Sequence, residues 1–185
     1  MARMAKAHGR GDRPRIYVAS LADYNAGRLH GVWLDALDHD EVQAGVEKML
    51  KASREPGAEE FAIHDFEGFG SYRIHEYESL ALVCAIGAAV VEHGILFAEY
   101  LAHVGDPKHE GDVAHALETF QEYQGEFRVP RDWAEQFLED TGSLKDVPES
   151  LRNYIEFEKW ADDAELNGDA FTIEDPGAVH VFWGS

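Results

Sequence analysis

Two periods alternate along this 185-residue chain, one of two residues and one near 3.6, and the switches between them predict its elements. After Pro14, residues 16–20 carry Ile16, Tyr17 and Val18, a β-rich run that reads as a first strand. Asn25, Ala26, Gly27 and Arg28 are turn chemistry. Residues 29–34 then alternate apolar with polar or small positions, Val32 and Trp33 favouring extended backbone. Asp40 and Glu41 open a helix with Val42, Val46, Met49 and Leu50 at helical spacing and Pro56-Gly57 as its stop. Residues 61–66 form a third strand candidate before the loop Gly68-Phe69-Gly70. These segments predict a small α+β unit of three strands and a helix.

From about residue 76 to residue 103 the pattern is helical. Leu80, Val83, Cys84 and Gly87 share a face, Ala81, Ala85, Ala88 and Ala89 permit close helix contacts, and Gly94 divides the run in two. Gly105-Asp106-Pro107 ends it. Asp112 is placed to cap a further helix reaching roughly Tyr123, with Val113, Ala116, Leu117, Phe120 and Tyr123 on one stripe. Pro130-Arg131-Asp132 starts another, with Trp133, Phe137 and Leu138 inward and Thr141-Gly142 at its end. Pro148-Glu149-Ser150 opens a stretch whose buried face is Tyr154, Phe157, Trp160, Ala161 and Ala164. After a turn at 166–169, residues 170–173 and 178–183 predict a hairpin across Glu174-Asp175-Pro176-Gly177. The expected fold class is α+β, elongated, in three small consecutive units (α+β, helical, α+β). Their bounds are a flexible basic tail at 1–14, an N-terminal α+β domain at 15–72, a central helical domain at 73–116 and a C-terminal acidic α+β domain at 117–185.

Composition is globular, with 45% hydrophobic and 11% aromatic residues. The single cysteine, Cys84, lies in an apolar run, forms no internal disulfide and reads as a core residue in a reducing compartment. The first residues carry charge but no apolar stretch of the secretory kind. The longest apolar run, residues 80–91, stops at Glu92-His93 and is too short to span a bilayer. The expectation is a soluble, cytoplasmic protein with no membrane partner.

Charge changes the picture most. The formal net charge is −20, yet residues 1–54 hold nine Lys/Arg against seven Asp/Glu, while residues 55–185 hold seven against twenty-nine. Such a surplus repels itself and weakens the folded state, so it points to a partner outside the fold, a surface that grips polyanions. On an α-helix, carboxylates four residues apart lie about 6 Å apart along the axis, close to the spacing of phosphates along one DNA strand. Glu118, Glu122 and Glu126 recur at that interval. So do Glu135 and Glu139, flanked by Asp132 and Asp140. Glu158, Asp162 and Asp163 form a third group with Glu156, Glu165 and Asp169. Like charges four apart destabilise a helix by roughly 0.2–0.5 kcal/mol per pair. One acidic face is ordinary for a solvated helix, and halophilic adaptation also gives acidic surfaces; here the three groups belong to a net charge of −22 carried by residues 55–185, with few lysines to neutralise it. Two copies at −20 each would match the charge of about 68 Å of duplex, at one charge per ~1.7 Å. Two compact subunits of this size span about 80 Å. These thirteen carboxylates are the candidate partner-binding residues, standing in for phosphates.

Other chemistry is less well marked. The ten histidines group most densely at His64-Asp65 with Glu67, at His75-Glu76, and at His109-Glu110-Gly111-Asp112 with His115. None has the two-His helical spacing of zinc proteases, and no cysteine accompanies them. Paired carboxylates are uninformative among 36 Asp/Glu. No phosphate-binding glycine loop and no local Ser-His-Asp or Cys-His signature occurs. No catalytic residue, metal site or cofactor is assigned, and the sign of the charge disfavours direct binding of nucleic acid.

One run, Ile16-Tyr17-Val18-Ala19-Ser20-Leu21-Ala22-Asp23-Tyr24-Asn25-Ala26-Gly27-Arg28-Leu29-His30-Gly31-Val32-Trp33-Leu34-Asp35, resembles the opening of the ArdA antirestriction proteins. Ile63-His64-Asp65-Phe66-Glu67-Gly68-Phe69, Tyr123-Gln124-Gly125-Glu126-Phe127 and Trp133-Ala134-Glu135-Gln136-Phe137-Leu138-Glu139 are similar to later blocks of that family. So are Glu165-Leu166-Asn167-Gly168-Asp169 and the stretch on to Val179-His180-Val181-Phe182. The likeness runs in order over residues 15–183, while the basic extension before Arg15 departs from the family's usual start. The resemblance implies a non-enzymatic DNA mimic that binds type I restriction–modification enzymes in place of DNA, at the methyltransferase core. It also implies an elongated three-domain subunit, a curved homodimer, and an antirestriction segment around Asp132 to Asp140. Two alternatives stay open: an acidic module for another basic DNA-binding or defence protein, and a small metal-dependent hydrolase using His64 to Glu67.

Overall fold

The computed structural model describes residues 13–184, so nearly all of the basic tail expected at 1–14 lies outside the described residues. Among these, eight helices and two three-stranded antiparallel sheets make an α+β fold, as the residue pattern predicts. Two compact units divide between Leu117 and Glu118.

The first unit holds β1 (Arg15–Ser20), α1 (Leu21–Asn25), β2 (Gly31–Asp35), α2 (His39–Lys51) and β3 (Phe61–Glu67). It continues through α3 (Leu80–His93), α4 (Ile95–Val104) and α5 (Glu110–Phe120), the last running on past the division. β1 is the central strand of the order β2-β1-β3, and its Ile16, Val18 and Ala19 are wholly buried. The helix expected from Asp40 starts one residue earlier because the Asp38 side chain caps it, accepting from the Glu41 N–H at 2.9 Å. It ends at Lys51, well before Pro56, with Lys48 and Lys51 in the last turn where cations suit the helix dipole. Ser79 caps α3, so the residues just before it are turn, not helix. α3 is apolar nearly all round and buries Leu80, Leu82, Val83, Cys84, Ile86 and Val90, which makes it a core helix. Burial pushes the Cys84 thiol up to about 11, so it is protonated at neutral pH. Gly87 is required here: a Cβ at this position would collide with the carbonyl oxygen of Ala36. No helix among the described residues is long and apolar enough to cross a membrane.

A buried carboxylate ties this unit together. Asp23 in α1 accepts from the Ser53 hydroxyl and from Arg28, whose guanidinium also pairs with Glu55. The Ser53 hydrogen bond is the largest cause holding the Asp23 carboxyl below the usual carboxylate range; burial opposes it, and Ser20 and Arg28 add to the lowering. A lowered folded-state pKa gives stability that is present above the unfolded value, near 4, and is lost as pH falls through the folded value. Asp23→Asn is therefore expected to lower the urea midpoint at neutral pH. The gap from the parent should close as pH falls below about 4, and a gap that stays constant across that range would overturn this account.

The second unit holds β4 (Tyr123–Phe127), α6 (Pro130–Asp140), α7 (Glu149–Arg152), α8 (Phe157–Asn167), β5 (Ala170–Asp175) and β6 (Ala178–Trp183). β6 is central in the order β4-β6-β5, and its Val181 and Phe182 are fully buried. The β5–β6 hairpin turns on Pro176-Gly177, with Asp175 facing Ala178. Trp133, Ala134, Leu144, Phe157, Ala161, Ala164, Ala170 and Val181 form its core, with Phe137, Trp160 and Trp183 packed against it.

Three expectations need correction. The helix expected to reach Tyr123 stops at Phe120, because Tyr123 faces Phe182 and Gly125 faces Val181 in the sheet. Pairing with β6 overrides the local helical period. Asp112 does not stand outside its helix: α5 begins at Glu110, and the Asp112 side chain reaches back to the N–H groups of Lys108 (2.7 Å) and His109 (3.2 Å). Those bonds, the one from Lys108 foremost, hold its carboxyl below the usual range. The single stretch expected from Pro148 is two helices, the first only four residues long. The break leaves Tyr154 81% exposed, so it is no part of the core.

Candidate acidic surface of the second unit

Residues 118–185 hold seventeen Asp/Glu against five Lys/Arg, and the fold decides which of these carboxylates stand together. α6 forms because Pro130 suits its first turn and because Trp133, Ala134, Phe137 and Leu138 give it one apolar side. The opposite side is then left to Asp132, Glu135 and Glu139, spaced three and four residues apart along about 10 Å of axis. All three carry arginine partners: Arg128 to Asp132 at 3.3 Å, Arg131 to Glu135 at 3.4 Å and Arg152 to Glu139 at 3.7 Å. Asp140 accepts from the Gln136 amide at 3.5 Å. Two of these ion pairs lie at four-residue spacing, so Arg128 and Arg131 were legible in the sequence as partial neutralisers of this face.

α8 differs. Phe157, Ala161 and Ala164 face the core, and the left-handed Gly168 ends the helix. Glu158, Asp162 and Glu165 lie at intervals of four and three on the solvent side, all exposed. Among the described residues none of the three forms an ion pair, and neither does Lys159, a little over a quarter-turn round the helix from Glu158. Glu156 precedes the first turn, Asp163 lies off the stripe, and Asp169 follows the C-cap; all three are exposed. α8 therefore carries an uncompensated anionic stripe.

The interval of four fails for Glu118, Glu122 and Glu126. The first is near the end of α5, the second in the turn after it, and the third on β4. All three are exposed, but they do not share a helix face. Beside Glu126, the Tyr123 hydroxyl bonds His180 Nδ1 at 2.8 Å, and burial, followed by the Glu126 charge, pushes the phenol up to about 12.

In the first unit, His64 is the extra residue of a bulge, since Tyr17 faces Asp65 while Val18 faces Ile63. It lines an open cleft of about 430 Å³ with Tyr24, Ile63, Phe66, Ile74 and Glu76. Glu67 does not join it there and instead pairs with Arg15 at 2.7 Å. The two residues of the hydrolase alternative are thus not brought into one site. Among the described residues no group of three or more His, Cys, Asp or Glu side chains is arranged to hold a metal ion.

Fold and surface define an acidic α+β protein whose second unit displays exposed carboxylates. The chain belongs to the ArdA family of antirestriction proteins, whose family model matches residues 16–178. Antirestriction is accordingly its function. No curated protein matches the chain.

Proposed function

We propose that this protein disarms type I restriction–modification enzymes by docking its carboxylates into the groove that holds DNA in their methyltransferase core. The observation that carries the reading is the stripe Glu158, Asp162 and Glu165, exposed and without ion pairs among the described residues. Repeated anions about 4.5–6 Å apart along a rigid helix present a cationic groove with a spacing near that of a phosphate backbone. Asp132, Glu135, Glu139 and Asp140 extend the display; Arg128 and Arg131 are exposed side chains able to move aside, whereas Arg152 beside Glu139 is also held by the Leu144 and Val147 carbonyls. Glu118, Glu122, Glu126, Glu156, Asp163 and Asp169 add to the field from neighbouring turns and strand. The reading includes a homodimer, which doubles the anionic surface, and a cytoplasmic setting where the target enzymes meet DNA. It needs no catalytic group and no cofactor.

Competition is the direct test. Added to a purified type I methyltransferase bound to a labelled recognition duplex, the protein is expected to displace the duplex. Its affinity should fall at least tenfold between about 50 and 200 mM salt, as binding through several phosphate-like charges requires. Failure to displace the duplex, or affinity unchanged over that range, would overturn the proposal.

A further inference from the structure

An anionic stripe attracts any cationic groove, and attraction of that kind has little side-chain selectivity. A cleft of about 580 Å³ in the second unit has what the stripes lack. It is lined by Trp160, Ala164, Gly168, Asp169, Trp183 and Gly184. The two indoles come from α8 and the end of β6 and are half-buried. Each is braced from behind: Trp133 lies 5.4 Å from both, ring centre to ring centre, and Phe137 stacks on Trp160 at 5.6 Å and meets Trp183 edge-on at 4.9 Å. The rings are therefore set in place before any ligand arrives.

The rest of the lining leaves room. Gly168 has the left-handed backbone that closes α8, with φ at 78°. The Gly184 N–H donates to the Asp169 carbonyl at 2.8 Å, and a Cβ on Gly184 would strike the Gly168 carbonyl oxygen. Backbone runs against backbone here, and Ala164 adds only a methyl group to the lining. The charge comes from Asp169, exposed and without an ion pair among the described residues.

We propose that this cleft receives an arginine side chain from the protein on which the acidic surface docks. The inference rests on the reading that the partner's groove is cationic, and it names the anchor within that contact. A guanidinium is flat, weakly hydrated and always charged, so it lies on indole faces and pairs with a carboxylate, which a strongly hydrated ammonium does less well. Grooves that hold DNA are rich in arginine. An arginine set between tryptophans in a pocket is the kind of contact that dominates interface energies.

The test uses the whole protein and two probes, N-acetylarginine amide and its neutral isostere N-acetylcitrulline amide, followed through the indole N–H signals by NMR. The Trp160 and Trp183 signals are expected to shift saturably with the arginine compound, and the citrulline compound should need about tenfold more to match them. Asp169→Asn, a change to an exposed side chain, should raise the half-saturating concentration several-fold, whereas Glu59→Gln in the first unit should leave it unchanged. Equal response to both compounds, or an undiminished response in Asp169→Asn, overturns the proposal. In the duplex competition, Asp169→Asn should cost about tenfold in affinity against about twofold for Glu174→Gln, an exposed charge outside the cleft. Equal losses would also overturn it. Because the probes involve no restriction enzyme, binding of the arginine compound without duplex displacement removes the DNA-mimic reading. Displacement without indole shifts removes the cleft alone.

Discussion

Replacing Glu158, Asp162 and Glu165 together by Gln, Asn and Gln is expected to weaken binding to a type I methyltransferase by about tenfold to a hundredfold without weakening the fold. The two effects have separate causes. In the complex, each carboxylate offers a contact to a cationic groove, and three lost contacts compound. In the free protein the same carboxylates repel one another across one helix face, and no arginine offsets them among the described residues. Their removal relieves a like-charge cost of roughly 0.2–0.5 kcal/mol for the pair four apart. The urea midpoint of the variant should therefore equal or exceed that of the parent while its competition against duplex fails. Undiminished competition would remove the α8 stripe from the mechanism. The matching triple on α6, at Asp132, Glu135 and Glu139, should move stability the other way, because each of those carboxylates has an arginine partner to lose.

The second large effect concerns the core that carries the display. Trp133 is 2% exposed and touches Phe137, Trp160 and Trp183. Trp133→Ala removes the ring against which α8 and the end of β6 both pack, and large-to-small changes of this kind cost about 3–5 kcal/mol. Against a total of about 5–15 kcal/mol for a typical domain, that leaves the second unit near its unfolding threshold at room temperature. Near-ultraviolet circular dichroism and urea unfolding should show the loss, and antirestriction should fall with it. Trp133→Phe should cost far less, since the buried indole N–H has no hydrogen-bond partner among the described residues and the phenyl ring keeps most of the contact. Tyr154→Ala, at an 81% exposed site, should stay within about 0.5 kcal/mol of the parent. A large loss at Tyr154, or a negligible one at Trp133, would mean the core is drawn wrongly.

Tyr154 also shows what local periodicity does not fix. Placed in one amphipathic stretch with Phe157 and Trp160, it takes an inward position. The four residues between α7 and α8 are not helical, so the phase does not carry across them. Glu122 and Glu126 do not share a face for a related reason: their interval of four has meaning only on a helix, and β4 claims Tyr123 onward. Elsewhere local chemistry was sufficient. Gly94 and Gly142 mark helix ends, Pro176-Gly177 turns the hairpin, and Pro130 begins α6, since each acts on backbone angles within a residue or two of itself.

The order of residues by itself determined the sign of the charge and its concentration after residue 55, the strand-forming runs, the helix stops and the family blocks. All of these depend on composition or on neighbours in the chain. The tertiary structure alone decided which carboxylates stand bare. It paired Arg152 with Glu139 across a turn, left the α8 stripe uncompensated, and brought Trp160, Trp183 and Asp169 to the lining of one cleft. Those outcomes depend on side chains far apart in sequence meeting in space: β6 needs a hydrogen-bonding partner on each edge, and the aromatic side of α6 needs cover.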